Sequence, residues 1–375
     1  MRELYIGLMS GTSMDAIDAA LVDFSADLNT PHLIATHKSP MPRAMRDQLL
    51  DLCTPDFDEI NRCGMVDMEL GKLFAISANE LLAKSKIARA DIIAIGSHGQ
   101  TIRHYPNAAT PFTLQIANPN VIAELTGITT VADFRTRDMV KGGQGAPLVP
   151  AFHQQLFRDQ QQDRIILNLG GIANITWLPA DRNLPVIGFD TGPASTLLDA
   201  WVNQHLQQPY DKNGAWAASG KINNDLLEIL LDDPYFKLAA PKSTGREYFN
   251  LAWLEKYLEQ WSRKISAADV QTTLTELTAQ SVAAAIHKVL NNKSAQILVC
   301  GGGIHNLYLL QRIKDLCADC DIQSTEKFGV HPDWVEAMAF AWLAQQTLAR
   351  KPGNLPGVTG ASGYAILGGV YFGKL

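Results

Sequence analysis

One local pattern occurs twice in this chain and most constrains what it can fold into: a short apolar strand, a turn of small residues, and a returning apolar strand. In the first copy Leu4–Met9 breaks at Ser10, Gly11, Thr12 and Ser13 and the chain returns through Ile17–Phe24. In the second, Arg164–Leu169 (RIILNL) turns at Gly170 and Gly171 and returns as Ile172–Leu178 (IANITWL). The run lengths and the alternation predict strands. Both copies continue into mixed helical and strand-like material, and 375 residues are long for a single core. The expectation is two duplicated α/β domains.

Each turn admits two readings. Small residues expose backbone N–H groups and hydroxyls, which suits a loop around phosphate oxygens, but an ordinary polar hairpin has the same composition. Asp15 and Asp18 follow the first turn, where carboxylates can hold a divalent cation directly or through water. Recurrence of the pattern favours the phosphate reading, since two such hairpins can grip a polyphosphate from both sides. The stretch Lys141–Pro150 (KGGQGAPLVP) holds three glycines and two prolines, so a domain junction is expected near Asp138–Pro150. That gives domains 1–138 and 139–363, with the tail 364–375 a candidate to rejoin the first.

Between the two hairpins, Arg43–Leu52 and Met65–Lys84 have helical spacing. Asp91–Gly96 reads as a buried strand running into Ser97, His98, Gly99, Gln100 and Thr101, a polar cluster at the strand end where open sheets place ligands. His98 is there either a satisfied structural histidine or a substrate contact. Asn118-Pro119 and Gly127 bracket a short helix. Arg135 and Arg137 follow a strand over Thr129–Phe134, where a guanidinium suits a carboxylate or phosphate, or a surface ion pair.

After the second hairpin, Pro185–Phe189 reads as a strand ending in Asp190, placed either to take a proton from an attacking hydroxyl or water, or to cap the next helix. Pro241–Glu247 (PKSTGRE) is a polar turn, and Thr273-x-x-Glu276 reads as a capping box opening a helix to Leu290. The strand Gln296–Cys300 runs into Gly301, Gly302 and Gly303, which would let a planar ring approach the backbone. Neither G-x-G-x-x-G nor G-x-x-x-x-G-K-[ST] occurs. Val335–Leu348 is an apolar helix with Glu336 near its start, where the helix dipole alone favours a carboxylate.

A net charge of −6 with no run of Lys and Arg argues against nucleic-acid or acidic-membrane partners. Five cysteines, an odd number, do not make a disulfide framework, and Cys317-x-x-Cys320, in a predicted helix, lacks further zinc ligands at suitable spacing. No stretch has eighteen unbroken apolar residues and the N-terminal run is too short for a signal core, so a cytoplasmic protein is expected. The sequons at Asn174 and Asn292 then carry little meaning.

Taken in order, the GTS hairpin, the LGGIANIT hairpin, FDTGP and VCGGGIHN resemble the sugar-kinase, Hsp70 and actin superfamily, with two ribonuclease-H-like domains about an interdomain cleft. Within it, MSGTSMDAID, IGSHGQTIRH, DFRTRDMVKGGQGAPLVPAFH, NLGGIANIT, PKSTGRE, CGGGIHN and VEAMAFAWLA resemble the 1,6-anhydro-N-acetylmuramic acid kinase family. The resemblance implies an ATP- and Mg²⁺-dependent enzyme of peptidoglycan recycling that hydrolyses the 1,6-anhydro bridge and phosphorylates O6. By the same likeness Asp190 is the catalytic base. Gly11, Thr12, Ser13, Met14, Asp15, Ala16, Ile17 and Asp18, with Gly170 and Gly171, would bind the ATP phosphates. Gly301–Gly303 would border adenosine, while His98, Arg135 and Glu336 lie on the sugar side. A homodimer is a family expectation only. The chain departs from the family at Ala16, where glycine is usual, and at Gly192-Pro193-Ala194-Ser195 in place of GPGN; an alanine at a positive φ would strain either loop. Another hexose or polyol kinase of this fold is the nearest alternative, and a protein-binding chaperone- or actin-like ATPase a more distant one.

Overall fold

The computed structural model describes residues 2–11, 13–25, 31–246, 248–261, 263–291 and 293–374. Thr12, Glu247 and Asn292, which the sequence singles out, lie outside the described residues. By contact the chain divides into two compact units, Met1–Leu156 with Trp334–Leu375, and Phe157–Asp333.

The first unit carries β1 (Leu4–Met9), β2 (Ala16–Asp23), β3 (His32–Pro40), β4 (Ile92–Ser97), the ribbon β5 (Gln100–Tyr105) with β6 (Phe112–Ile116), and β7 (Thr130–Ala132). The second carries β8 (Arg164–Leu169), β9 (Ile172–Leu178), β10 (Ile187–Pro193), β11 (Gln296–Cys300) and β12 (Asp321–Ser324). The last strand, β13 (Gly369–Tyr371), pairs antiparallel with β7 and so belongs to the first sheet. Its order is β13-β7-β4-β1-β2-β3, and that of the second sheet is β10-β9-β8-β11-β12.

The two sheets repeat one design. In each, the hairpin strands and the next form an antiparallel meander, β1-β2-β3 or β8-β9-β10. The first strand of each then takes parallel neighbours on its other side, β4 and β7 or β11 and β12. This is the duplicated α/β architecture expected from the paired hairpins. β1 and β8 are buried along most of their length because each lies mid-sheet between two partners, which is why they read as unbroken apolar runs.

The sequence-based domain limits at 138 and 363 fall elsewhere than the contact division. Lys141–Pro150 folds inside the first unit, with Gly143 N–H donating to the Asp138 carbonyl and Gln144 N–H to the Thr359 carbonyl. The helix Val335–Leu348 lies on β1, β2 and β4. Two glycines permit this: a Cβ on Gly7 would overlap the Ala337 carbonyl, and one on Gly96 the Phe340 carbonyl.

Helix limits differ mainly where polar residues mislead. Thr273 is no cap: the helix runs Ala267–Leu290, capped by Ser266, whose Oγ accepts from Asp269 N–H. Thr273 instead returns its hydroxyl to the Asp269 carbonyl, the back-bonding that lets threonine sit inside a helix. Cys317 and Cys320 lie beyond the helix Leu307–Leu316 rather than within it. The helix Pro119–Thr126 has its Asn118 cap and left-handed Gly127 where the sequence places them.

Candidate functional site

In the second unit the sequence predicts a strand that stops before Asp190. The structure carries β10 on to Pro193, with Asp190 opposite Asn174 and a bulge between Asp190 and Gly192. The capping alternative for Asp190 fails, because the next helix begins only at Ser195. The first N–H groups there are satisfied by the hairpin turn: Ala194 and Thr196 donate to the Gly171 carbonyl at 3.0 and 3.1 Å, and Ser195 to that of Gly170 at 3.1 Å. The Gly170-Gly171 turn is thereby fixed to the β10–helix junction.

Asp190 is held by a loop that the sequence marked only as a polar turn. Thr244 N–H donates to Asp190 Oδ2 at 2.9 Å, and Asp190 N–H to the Lys242 carbonyl at 3.1 Å. The Tyr235 hydroxyl donates to the Asp190 carbonyl at 2.7 Å. Lys242 Nζ donates to the Tyr235 carbonyl at 3.1 Å and stands 4.4 Å from the centre of its ring. Burial, then repulsion from Lys288, pulls the Lys242 pKa down, opposed by Asp190. Burial and the nearby Asp190 charge push the Tyr235 hydroxyl far up, so it stays a donor.

The glycine triplet adjoins the same hairpin. β11 runs parallel to β8, with Cys300 opposite Asn168, so Gly301–Gly303 and Gly170-Gly171 leave the sheet at neighbouring strand ends. A Cβ on Gly303 would come within 2.6 Å of the Leu169 Cβ, and Gly301 takes φ +81°, while nothing lies within 4 Å of such a Cβ on Gly302. Close packing on one side and space on the other suit a ring lying on the Gly302 backbone.

In the first unit, Gly11, Ser13, Met14 and Asp15 link β1 to β2, and Ala16, Ile17 and Asp18 lie in β2. Among the described residues of this loop Met14 is left-handed, at φ +53°, buried and with its N–H on the Gly11 carbonyl at 3.1 Å. Ala16 pairs in regular register with Pro40 and has no positive φ, so alanine there causes no backbone strain. Ala194, at φ −128°, is likewise outside the left-handed region. Arg46 Nη2 lies 3.2 Å from Asp15 Oδ1, and Lys38 Nζ 3.8 Å from Asp18 Oδ1.

Parallel pairing of β1 and β4 puts His98 beside this loop, with its N–H on the Leu8 carbonyl at 3.0 Å and Ser10 Oγ bonded to Gln100 Oε1 at 2.7 Å. Arg135 reaches the same place. Its Nε and Nη2 donate to His98 Nε2 at 3.1 and 2.9 Å, and its Nη1 donates to the Gly145 carbonyl at 2.8 Å. The His98 ring is 4.8 Å from that of Phe340, which also packs on Phe134. Glu336 is one turn before Phe340 on the helix Val335–Leu348 and shares its face. His98, Arg135 and the Glu336 helix face thus gather in one unit.

A family model for anhydro-N-acetylmuramic acid kinase matches residues 3–373. This chain belongs to the anhydro-N-acetylmuramic acid kinase family. Anhydro-N-acetylmuramic acid kinase of Shewanella sp. (strain ANA-3) is 55% identical over 373 residues, covering 100% of both chains. That of Coxiella burnetii (strain Dugway 5J108-111) is 54% identical over 373 residues, covering 100% of this chain and 98% of the relative. Among solved structures, a ROK family glucokinase from Streptomyces griseus in complex with glucose and AMPPNP is 12% identical, with 92% of this chain and 99% of that one covered and a TM-score of 0.40. That likeness is too loose to bear on chemistry.

Sequence reasoning did not single out Tyr235, Lys242 and Thr244, which hold Asp190, nor Asp138, whose carboxylate takes the N–H of Gly145 beneath Arg135. The motif PKSTGRE carried a usable signal for two of them: a lysine and two hydroxyls in a glycine turn resemble a ligand loop more than a spacer. Tyr235 and Asp138 gave none, since their roles arise only from contacts distant in sequence.

Proposed function

We propose that this chain uses ATP to convert 1,6-anhydro-N-acetylmuramic acid into N-acetylmuramic acid 6-phosphate and ADP, with Asp190 as the general base. The carrying observation is the Asp190 carboxylate, locked by Thr244 N–H at a strand bulge beside the Gly170-Gly171 turn, in a chain of this family. Asp190 takes a proton from water as the water oxygen bonds to the anomeric carbon. The bond from that carbon to O6 breaks, and O6 bonds to the γ-phosphorus as its bond to the ADP oxygen breaks.

The roles of the remaining residues follow their chemistry. Gly11, Ser13 and Gly170-Gly171 offer backbone to the phosphates, and Gly301–Gly303 border adenosine. His98, Arg135 and Glu336 serve the sugar, whose lactyl carboxylate matches a guanidinium. Asp15 and Asp18 offer only oxygen donors, and among the described residues no group of three or more potential ligands forms. Asp15 and Asp18 would hold a largely hydrated Mg²⁺. When bound, Mg²⁺ screens the phosphate charge. Among the described residues no helix is long and apolar enough to cross a membrane; dependence on ATP argues for the cytoplasm.

The test is incubation with ATP and Mg²⁺ and a panel of anhydro and ordinary sugars. The anhydro-muramic sugar is expected to release ADP and yield the 6-phosphate with its bridge opened. Turnover confined to ordinary hexoses or polyols would replace this reading with that of a simple sugar kinase.

A further inference from the structure

The bonding around Arg135 extends well past the residues assigned to the sugar. His98 accepts both Arg135 Nε–H and Nη2–H on one ring nitrogen, Nε2, so the ring proton sits on Nδ1 and is donated to the Gly99 carbonyl at 2.8 Å. An imidazole in this tautomer, accepting from a guanidinium, is an orienting group and has no lone pair left for a substrate proton. On the other side, Arg135 Nη1 is tied to the Gly145 carbonyl. Gly145 is itself fixed: its N–H donates to Asp138 Oδ2 at 2.8 Å. Asp138 is fully buried, and its Oδ1 accepts from Asn354 Nδ2 at 2.7 Å and the Thr359 hydroxyl at 2.8 Å. The glycine-rich stretch expected to form a domain junction is therefore a fastened platform under a guanidinium.

We propose that His98 and Asp138 are positioning residues that aim Arg135 at the carboxylate of the sugar substrate, His98 directly and Asp138 through Gly145, with Thr359 and Asn354 as its anchors. The inference rests on the reading that Arg135 binds the sugar. It moves His98 from a substrate contact to a support for one. Burial, then the Arg135 charge, lowers the His98 pKa to about 3, opposed by the Gly99 and Ser10 backbone, so the acceptor form persists at neutral pH. A fixed fork loses little freedom on binding a carboxylate, and that supplies selectivity for an acidic sugar.

Steady-state kinetics on Arg135→Ala, His98→Leu, His98→Gln and Thr359→Val test this, with 1,6-anhydro-N-acetylmuramic acid and 1,6-anhydro-N-acetylglucosamine, which lacks the carboxylate. With the acidic sugar, His98→Leu should raise KM about ten- to a hundredfold, the worth of a hydrogen bond to a charged group, and Thr359→Val should raise it less. KM for ATP should hold, and His98→Gln, whose amide oxygen still accepts, should recover most of the loss. With the uncharged sugar the four variants should lose much less than they do with the acidic one. If Arg135→Ala raises KM for the acidic sugar while His98→Leu and Thr359→Val do not, positioning is overturned and the sugar-side reading stands. If Arg135→Ala leaves that KM unchanged, the sugar-side reading itself fails. Equal losses on both sugars would reduce the network to a structural role and overturn the proposal.

Discussion

Thr244 holds Asp190 from the main chain: its N–H meets Asp190 Oδ2 at 2.9 Å, while Asp190 N–H returns to the Lys242 carbonyl at 3.1 Å. Two bonds thus tie this strand residue to one loop, one at its carboxylate and one at its own main chain. Asp190→Asn keeps the volume and an oxygen for Thr244 but cannot take a proton. Turnover should fall about 10²–10⁴-fold, the usual worth of a general base, with ATP affinity nearly unchanged by calorimetry. Near-normal ADP release would remove Asp190 from the reaction.

The contact of the helix Val335–Leu348 with β1 and β4 depends on the absence of side chains at Gly7 and Gly96, where a Cβ would overlap the Ala337 and Phe340 carbonyls. Backbone cannot retreat as a flexible side chain can, so the helix must lift. Gly7→Ala or Gly96→Ala should destabilise the protein by about 3 kcal/mol or more, at the upper end of overpacking costs. Gly302→Ala, with nothing within 4 Å of the new Cβ, is the control. Urea melts in which Gly7→Ala and Gly302→Ala coincide would contradict the close packing.

How much of this was legible in advance follows from the range of the interactions. The limits of β1, β8, β9 and β11 were readable because a strand between two partners keeps a mostly apolar, largely buried run. The Asn118 and Gly127 ends of one helix were readable because capping is local. The ends of β10 were not: Asp190 to Pro193 look like a turn, and only pairing with β9 keeps them in the sheet. Lys141–Pro150 misled for the converse reason. Its glycines suggest freedom, whereas the restraint comes from Asn354 and Thr359, more than two hundred residues away in sequence from Asp138.

Two buried histidines of the first unit, His98 and His153, and the half-buried His104 make its stability depend on acid. Burial lowers the pKa of His98 to about 3, reinforced by Arg135, that of His104 to about 4, again with Arg135, and that of His153 to about 3. Unfolded, each titrates near 6.5. Between those limits the unfolded chain binds more protons than the folded one, so stability rises with pH across the window and is lost as pH falls from about 6.5 toward 4. The slope approaches about 1.4 kcal/mol per pH unit for each histidine well inside the window. Denaturant midpoints measured from pH 7 to 4.5 should fall steadily, and less so in His153→Gln; a flat profile would show that the histidines are charged in the fold.

Asp233 organises the aromatic cluster that carries Tyr235 to Asp190. Its carboxylate, almost wholly buried, accepts from Tyr235 N–H at 2.8 Å, Tyr248 hydroxyl at 2.8 Å, Trp253 Nε1–H at 3.0 Å and Tyr257 hydroxyl at 2.9 Å. Burial alone would raise its pKa, but the donors from Trp253, Tyr235, Tyr248 and Tyr257 together hold it below the ordinary value. The folded pKa being depressed, this stabilisation is present above the unfolded pKa and disappears as pH falls through the folded one. Asp233→Ala leaves these four donors without their common acceptor. Counting two of the lost bonds at about 1.5–3 kcal/mol each gives a cost on the order of 3–6 kcal/mol. Because Tyr235 also donates to the Asp190 carbonyl, turnover at temperatures where the variant stays folded should drop as well. The milder Tyr257→Phe removes one donor and leaves Tyr235 in place, so it should cost stability with little loss of rate. Urea unfolding followed by tryptophan fluorescence, paired with ADP release, separates the two effects. An Asp233→Ala variant within about 1 kcal/mol of the parent would mean that water, rather than the carboxylate, satisfies those donors.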